Sequence, residues 1–293
     1  MLKIGSHVSF RKPYMYLTAL EQALNFKANT FMIYSGTPQN TKRQDLKNAY
    51  IPETLLKMKN LGLDSSDLVG HAPYIINLAN PNKSKRNFAI NFLTEEIKRF
   101  AKLHINQMVL HPGNAINGDR KEAIEWIAQG INQIFHNTSN LSTNICLETM
   151  AGKGNEIGCC FRELSQIINL INNRSRISIC FDTCHVFDSG YDIKNNFENI
   201  INEFANWINL SYLKVFHIND SKNKLGSKKD RHENIGYGHI GFNALIEIIY
   251  HPHFLHLPKI LETPFINNKP PYKEEIQMIR QKKMNTKLKF NCL

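Results

Sequence analysis

The chain has 293 residues and a formal net charge of +11, and 42% of its residues are hydrophobic, which is enough for a sizeable core. The positive charge favours polyanionic partners such as nucleic acid, an anionic membrane surface or phosphorylated substrates. No apolar stretch approaches the roughly 20 residues that span a bilayer, so we expect no membrane-spanning segment.

The first ten residues, MLKIGSHVSF, lack a charged segment followed by an apolar one, so we expect no secretory signal. The cysteines form no Cys-x-x-Cys pair, and several lie in apolar runs. This usage is typical of reduced thiols in a cytoplasmic protein and argues against a disulfide framework. The six cysteines are Cys146, Cys159, Cys160, Cys180, Cys184 and Cys292.

Short apolar runs rich in β-branched residues alternate along the chain with longer segments of helical period. The runs predict strands at residues 3–8, 30–34, 68–72, 107–111, 144–148, 177–182, 213–218 and 259–262. Between them, apolar residues recur at spacings of three and four and predict helices that include residues 85–103, 121–135 and 196–208. The last predicted helix begins near Tyr272.

Eight alternations of strand and helix predict an α/β protein with a (β/α)₈ TIM barrel as its single domain. Strands that are buried on both faces read as continuous apolar runs, as these do. A doubly wound open sheet is the alternative, but no Gly-x-Gly-x-x-Gly turn follows the first strand. We expect residues 1–283 to form the barrel domain, and we assign no role to the basic tail, residues 284–293.

Potential metal ligands recur at the carboxyl ends of the predicted strands, where barrels of this kind carry their catalytic groups. One such histidine or acid is most simply a buried or capping residue, but from the third strand onward six consecutive strands end in one. Asp230 and His232, in the loop after the seventh strand, are spaced so that both can face one point. The candidates are His71, His111, Glu148, Asp182, His185, His217, Asp230, His232 and Glu262.

Nine nitrogen and oxygen donors exceed the roughly four that one zinc ion takes, and they suit a cluster of three ions with a bridging carboxylate. Cys184 lies between two candidates, and it would face the same way as Asp182 if the strand continued. A soft thiolate would weaken the Lewis acidity that hydrolysis needs. We therefore predict that Cys184 is not a ligand and that the chain turns, so that His185 faces the barrel mouth.

Six motifs carry a resemblance to a known family: HAPY (71–74), HPG (111–113), FDTCH (181–185), HINDSK (217–222), KDRHENIGYGHIG (229–241) and LETP (261–264). They resemble the motifs of endonuclease IV, the family of zinc-dependent abasic-site endonucleases. The resemblance runs from GSHVS (5–9) to about residue 280, although LETMAGKGNEIG (147–158) departs from the more usual Glu-Asn-Thr order.

The resemblance implies a trinuclear zinc centre at the mouth of the barrel. It implies that one zinc is held by His71 and His111, with Glu148 bridging to the next ion. The second zinc then takes Asp182, His217 and Glu262, and the third takes His185, Asp230 and His232. We expect Glu148 and Glu262 to be the catalytic carboxylates.

The resemblance also implies cleavage of the phosphodiester 5′ of abasic sites in duplex DNA, leaving a 3′-hydroxyl and a 5′-deoxyribose phosphate, and removal of 3′ blocking groups. Tyr74 matches a position that the family inserts at the lesion. A second such position lies in the loop after the second strand, SGTPQNTKR (35–43), where Gln39 and Asn40 are the candidates. We expect a monomer.

The lysine-rich loop after the seventh strand supplies candidate phosphate contacts. The alternative is that these cations are solvated and contact nothing. The cations are Lys224, Lys228, Lys229 and Arg231.

A sugar isomerase or epimerase on a similar barrel is the main alternative function. Glu148, Asp182, His217 and Glu262 could hold one divalent ion for such an enzyme, but the other five candidates and the net charge of +11 would then have no role. A basic DNA-binding module with one structural zinc is a weaker alternative, because structural zinc sites are closed and usually rich in cysteine.

Overall fold

The structure is a computed structural model that describes residues 1–291, and Cys292 and Leu293 lie outside the described residues. Eight parallel strands form its main sheet, and each coincides with a predicted strand to within two residues. They are β1 (Lys3–Ser6), β2 (Met32–Tyr34), β3 (Val69–His71), β4 (Gln107–Leu110), β5 (Asn144–Glu148), β6 (Ile177–Asp182), β7 (Leu213–His217) and β8 (Pro258–Leu261).

The sheet closes into a barrel. Neighbouring strands pair in parallel from β2 to β8, and β8 pairs with β1, which places Ser6 opposite Leu261. Between β1 and β2 the described residues form a bridge from His7 to Met32, and the amide of Val8 donates to the carbonyl of Met32 at 2.9 Å. This topology confirms the predicted (β/α)₈ barrel and excludes the doubly wound open sheet.

Helices follow the strands in sequence order. The predicted helices at 85–103, 121–135 and 196–208 are present with bounds shifted by one or two residues. The helices are α1 (Tyr16–Asn25), α2 (Ile51–Asn60), α3 (Lys83–Lys102), α4 (Arg120–Asn137), α5 (Phe161–Asn169), α6 (Thr183–Ser189), α7 (Phe197–Trp207), α8 (Phe242–Ile249), α9 (Tyr272–Gln281) and α10 (Leu288–Asn291).

The helix predicted to begin near Tyr272 is present as α9, which begins at that residue, but it is not the last helix, because the short helix α10 follows it. Leu288, at the start of α10, is fully buried against Ile266 and Met278. The hydroxyl of Tyr237 donates to the carbonyl of Asn285 at 2.6 Å and accepts from the amide of Leu288 at 3.0 Å. The tail therefore packs onto the loop that follows β7.

Seven strands each contribute one buried side chain to a layer inside the barrel, which is a packed core and not a pore. A larger cluster fills the space between the strands and the helices. Gly70 of β3 faces that outer space, and a methyl group there would lie 2.5 Å from the ring of Phe100 on α3, so only glycine permits this close approach. The inner layer is Met32, Val69, Val109, Cys146, Cys180, Val215 and Ile260.

Within residues 1–291, no helix is both long enough and apolar enough to cross a bilayer. The five cysteines of this range are free, as the sequence analysis predicts.

Candidate metal centre

Asp182 has two local roles where β6 meets α6. It is the last residue of the strand and the N-cap of the helix, because its Oδ1 accepts a hydrogen bond from the amide of His185 at 2.8 Å. Such a cap satisfies an amide that the first helical turn leaves without a partner. The buried strand thus ends on an acid because a helix starts at Thr183, and the first turn of that helix carries His185 over the barrel mouth.

Glu148 lies at the centre of the site, fully buried at the end of β5. Its Oε2 lies 3.3 Å from Nε2 of His71 and 3.1 Å from Nε2 of His111, while its Oε1 lies 2.9 Å from Nδ1 of His217. Burial opposes ionisation of Glu148, but the imidazoles of His217 and His111 outweigh it and hold the pKa of the carboxyl well below its usual value. One oxygen of Glu148 therefore faces His71 and His111, and the other faces His217.

A second group of donor atoms lies beside Glu148. One oxygen or nitrogen from each of four residues falls within 4.8 Å of the others, and Nδ1 of His217 is 3.0 Å from Oε2 of Glu262. Burial lowers the pKa of His217, but nearby acidic groups, including Glu262 and Glu148, raise it well above its ordinary value. The four residues are Glu148, Asp182, His217 and Glu262.

A third group lies on the other side of Asp182. His185, Asp230 and His232 bring one donor atom each within 4.8 Å, with Nε2 of His185 at 3.0 Å and Nε2 of His232 at 3.5 Å from Oδ1 of Asp230. The charge of the imidazole at His185 overcomes the burial of Asp230 and lowers the pKa of its carboxyl. Nε2 of His232 is buried and has no hydrogen-bond partner among the described residues.

Cys184 is also close to the centre. Its sulfur lies within 4.8 Å of donor atoms of Asp182 and His232. Burial raises the pKa of its thiol far above the ordinary value, and the charges of Asp182 and Asp188 add to the effect. In the protein without metal the thiol therefore stays protonated at neutral pH, which makes it a poor donor beside the imidazoles and carboxylates.

The structure thus brings all nine predicted ligands together at one end of the barrel. His71, His111 and His217, which lie around Glu148, each come from a different strand end, and the third group combines α6 with the loop after β7. The donors are nitrogen and oxygen only, and a buried imidazole nitrogen at His232 has no hydrogen-bond partner among residues 1–291. These features suit zinc or a related divalent ion.

Supporting residues that the sequence analysis missed hold several of these side chains in place. Asn219 donates to Oδ2 of Asp182 at 2.7 Å and accepts from the amide of Glu262 at 2.9 Å, so it joins two groups at the ends of β6 and β8, on either side of β7. Thr149 accepts from the amide of Asp182 at 2.9 Å. The sequence does contain a signal for Asn219, because it follows the predicted ligand His217 by two residues in the motif HINDSK.

The residues predicted to contact DNA surround the same mouth. Tyr74 is 48% exposed in the loop after β3, and Lys229 and Arg231 are exposed beside the third group. Gln39 is exposed, whereas the carboxamide oxygen of Asn40 accepts the amide of Lys42 at 3.0 Å within its own loop. Of these two candidates, Gln39 is the more exposed, and Asn40 is partly exposed.

The barrel fold, with imidazoles and carboxylates at the mouth of the barrel, defines a class of protein. Residues 20–282 match a family model described as the xylose isomerase-like TIM barrel, so the chain is a barrel of that class. Solved structures with this fold include the endonuclease IV of Thermus thermophilus, with a TM-score of 0.82, 24% identity and coverage of 95% of this chain and 98% of that one. They also include a D-tagatose 3-epimerase-like protein, with a TM-score of 0.67, 17% identity and coverage of 96% and 99%.

Because both solved structures are less than 25% identical to the chain, they establish the fold alone. Sequence similarity gives the family. A protein of Acholeplasma laidlawii that carries the name probable endonuclease 4 is 51% identical over 289 residues, which cover 99% of this chain and 98% of the relative. The chain belongs to the endonuclease IV family, a family of DNA repair nucleases.

Proposed function

We propose that the protein hydrolyses the phosphodiester 5′ of abasic sites in duplex DNA with three zinc ions, leaving a 3′-hydroxyl and a 5′-deoxyribose phosphate, and that it also removes 3′ blocking groups. The observation that carries the proposal is the convergence of nine residues with nitrogen or oxygen donors, His111 through its contact with Glu148, at the mouth of a barrel 51% identical to a probable endonuclease 4. We expect it to act as a monomer in the cytoplasm.

The two oxygens of Glu148 support its role as the bridge between two ions. Oε2 faces His71 and His111, and Oε1 faces His217. The second ion would take His217 with Asp182 and Glu262, and the third would take His185, Asp230 and His232. When bound, zinc supplies Lewis acidity that favours attack on an anionic phosphodiester.

The side chains of the chain itself place and hold the substrate. Glu262 is the acid of the second group that solvent reaches, with 16% of its side chain exposed. Burial opposes its ionisation, but His217 lowers the pKa of its carboxyl, so Glu262 would act as a charged acceptor that orients the attacking water. Lys229 and Arg231 would hold backbone phosphates, and Tyr74 and Gln39 would fill the gap left by the missing base. An abasic nucleotide lacks stacking, so turning it out of the duplex costs little.

The sugar isomerase alternative needs only the group of Glu148, Asp182, His217 and Glu262. The shared barrel does not distinguish the two functions, because endonucleases and epimerases both adopt it. The third group favours the nuclease, because an isomerase with one ion would leave His185, Asp230 and His232 clustered at the mouth without a role.

Elemental analysis combined with cleavage of an abasic duplex tests the proposal. We expect close to three zinc ions per chain, cleavage that a chelator abolishes and zinc restores, and near-complete loss of cleavage in Glu262→Gln. Glu247→Gln, which alters an exposed acid of α8, is the matched control and should cut normally. About one ion per chain, with activity on a ketose restored by magnesium or manganese, would establish the isomerase instead.

A further inference from the structure

Asp188 is a fully buried carboxylate to which neither the motifs nor the proposed chemistry gives a role. It lies in α6 three residues after His185, so both side chains project from neighbouring positions on one face of the helix. One oxygen of Asp188 accepts from the hydroxyl of Ser221 at 2.6 Å. The other accepts from the backbone amides of Lys229 at 3.3 Å and Asp230 at 2.9 Å.

The segment that Asp188 contacts has an unfavourable backbone conformation. Lys228 has a φ of 55° and Asp230 a φ of 52°, in the left-handed region that non-glycine residues rarely adopt unless their surroundings impose it. Here, hydrogen bonds to the end of α6 hold the loop in this conformation. The amide of Lys228 donates to the carbonyl of Asp188 at 2.9 Å, and the amide of Gly226 donates to the carbonyl of Phe187 at 3.1 Å.

We infer that Asp188 is a positioning residue that sets the carboxylate of Asp230 against His185 and thereby shapes the third metal group. This inference rests on the proposed function. Helix α6 supplies one proposed ligand, His185, and also Asp188, which anchors the backbone of a second proposed ligand, Asp230. The result is that Oδ1 of Asp230 lies 3.0 Å from Nε2 of His185. Without the anchor, the loop can relax from its left-handed turns, and Asp230 loses its fixed distance to His185.

A carboxylate suits this role because one of its oxygens can accept from two consecutive amides while the other accepts from a hydroxyl. An asparagine could do nearly the same, with its carbonyl oxygen toward the amides and its amide group donating to Ser221. An alanine could not. The pair Asp188→Asn and Asp188→Ala therefore separates the acceptor geometry from the size of the side chain.

The test is competition for zinc between each variant and a chelator of known affinity, with cleavage measured in parallel. In Asp188→Ala we expect the ion of the third group to bind about 10- to 100-fold more weakly, the range found when an outer partner of a metal ligand is lost. The other two ions should stay bound, and Asp188→Asn should restore the third. Asp192→Ala is the control, because the carboxylate of Asp192 bonds to Asn195 and not to the loop.

Retention of three ions at wild-type affinity in Asp188→Ala would overturn the inference. If that variant does not fold, amide exchange in the metal-free wild type decides the question. The amide of Asp230 should then exchange much more slowly than that of Lys224 in the same loop, and equal rates would overturn the inference. A wild-type protein that binds about one ion or leaves abasic DNA intact would instead refute the proposed function.

Discussion

The backbone carbonyl of Thr149 accepts a hydrogen bond from Nδ1 of His185, and the two atoms are 2.9 Å apart. Nε2 of the same ring therefore faces Asp230, at 3.0 Å from its Oδ1. Asp182 and Asp230 outweigh the effect of burial and raise the pKa of His185, so a metal ion that binds at Nε2 must displace a proton there. The proton on Nδ1 remains bonded to Thr149 and fixes the orientation of the ring.

This arrangement predicts opposite outcomes for two adjacent residues. His185→Ala should lose one zinc ion and nearly all cleavage, because the third group then keeps only two donors. Cys184→Ser should keep three ions and cleave within about tenfold of the wild type, since the thiol of Cys184 is protonated and serine is close in size. Zinc content and cleavage rate measured on both variants check the prediction. Loss of metal from the serine variant alone would mean that Cys184 is a ligand and that His185 is not.

Tyr74 provides a prediction about damage recognition. Tyr74→Ala should weaken binding to an abasic duplex by about 1–3 kcal/mol, the usual value of stacking on a base, and leave zinc content unchanged. Trp207→Ala is the control, because Trp207 is similarly exposed, at 46% against 48%, but lies at the end of α7, away from the barrel mouth. Titration of a fluorescent duplex gives both affinities. Loss of zinc from Tyr74→Ala would show that Tyr74 has a structural role.

The cations beside the third group predict a strong dependence of DNA affinity on salt. The logarithm of affinity should fall linearly with the logarithm of salt concentration, and Lys229→Ala should reduce the slope by about one, as expected for one lost phosphate contact. Lys59→Ala, at the far end of α2, should leave the slope unchanged. Binding measured over a range of salt concentrations tests this. An affinity that barely responds to salt would place the DNA elsewhere on the surface.

Glu275 predicts a change of stability with pH. It is buried on α9, where it accepts from Thr263 and from the amide of Ile235. Burial raises its pKa from 4.5 to about 7. The unfolded chain releases this proton at lower pH than the folded one, so the contribution of Glu275 to stability is greatest below pH 4.5 and is lost as the pH rises through about 7.

Glu275→Gln keeps the hydrogen-bonding shape and cannot ionise. The metal-free variant should therefore exceed the wild type in stability above pH 7 by up to about 3 kcal/mol and match it near pH 4.5. Denaturant unfolding at several pH values measures the difference. Glu203→Gln, an exposed change on α7, should show no such trend. A constant difference at every pH would mean that folding leaves the pKa of Glu275 unchanged.

The sequence predicts the strands and most helices well because buried parallel strands require apolar runs and surface helices require one apolar face. It predicts where the nine candidate ligands lie because strand ends converge at one end of a barrel. It does not predict the supporting contacts of Asn219 and Asp188. Those contacts depend on backbone amides brought together only in the folded chain, and an amide has no sequence signature.

The pairing of β1 with β8 also has a consequence for synthesis of the protein. Ser6 pairs with Leu261, so β1 can pair with β8 only after the six strands between them have been made, although β2 is available to it early. Glu262 arrives one residue later. A nascent or prematurely terminated chain therefore carries an unclosed sheet and lacks one acid of the candidate site, so the site is complete only in the finished barrel.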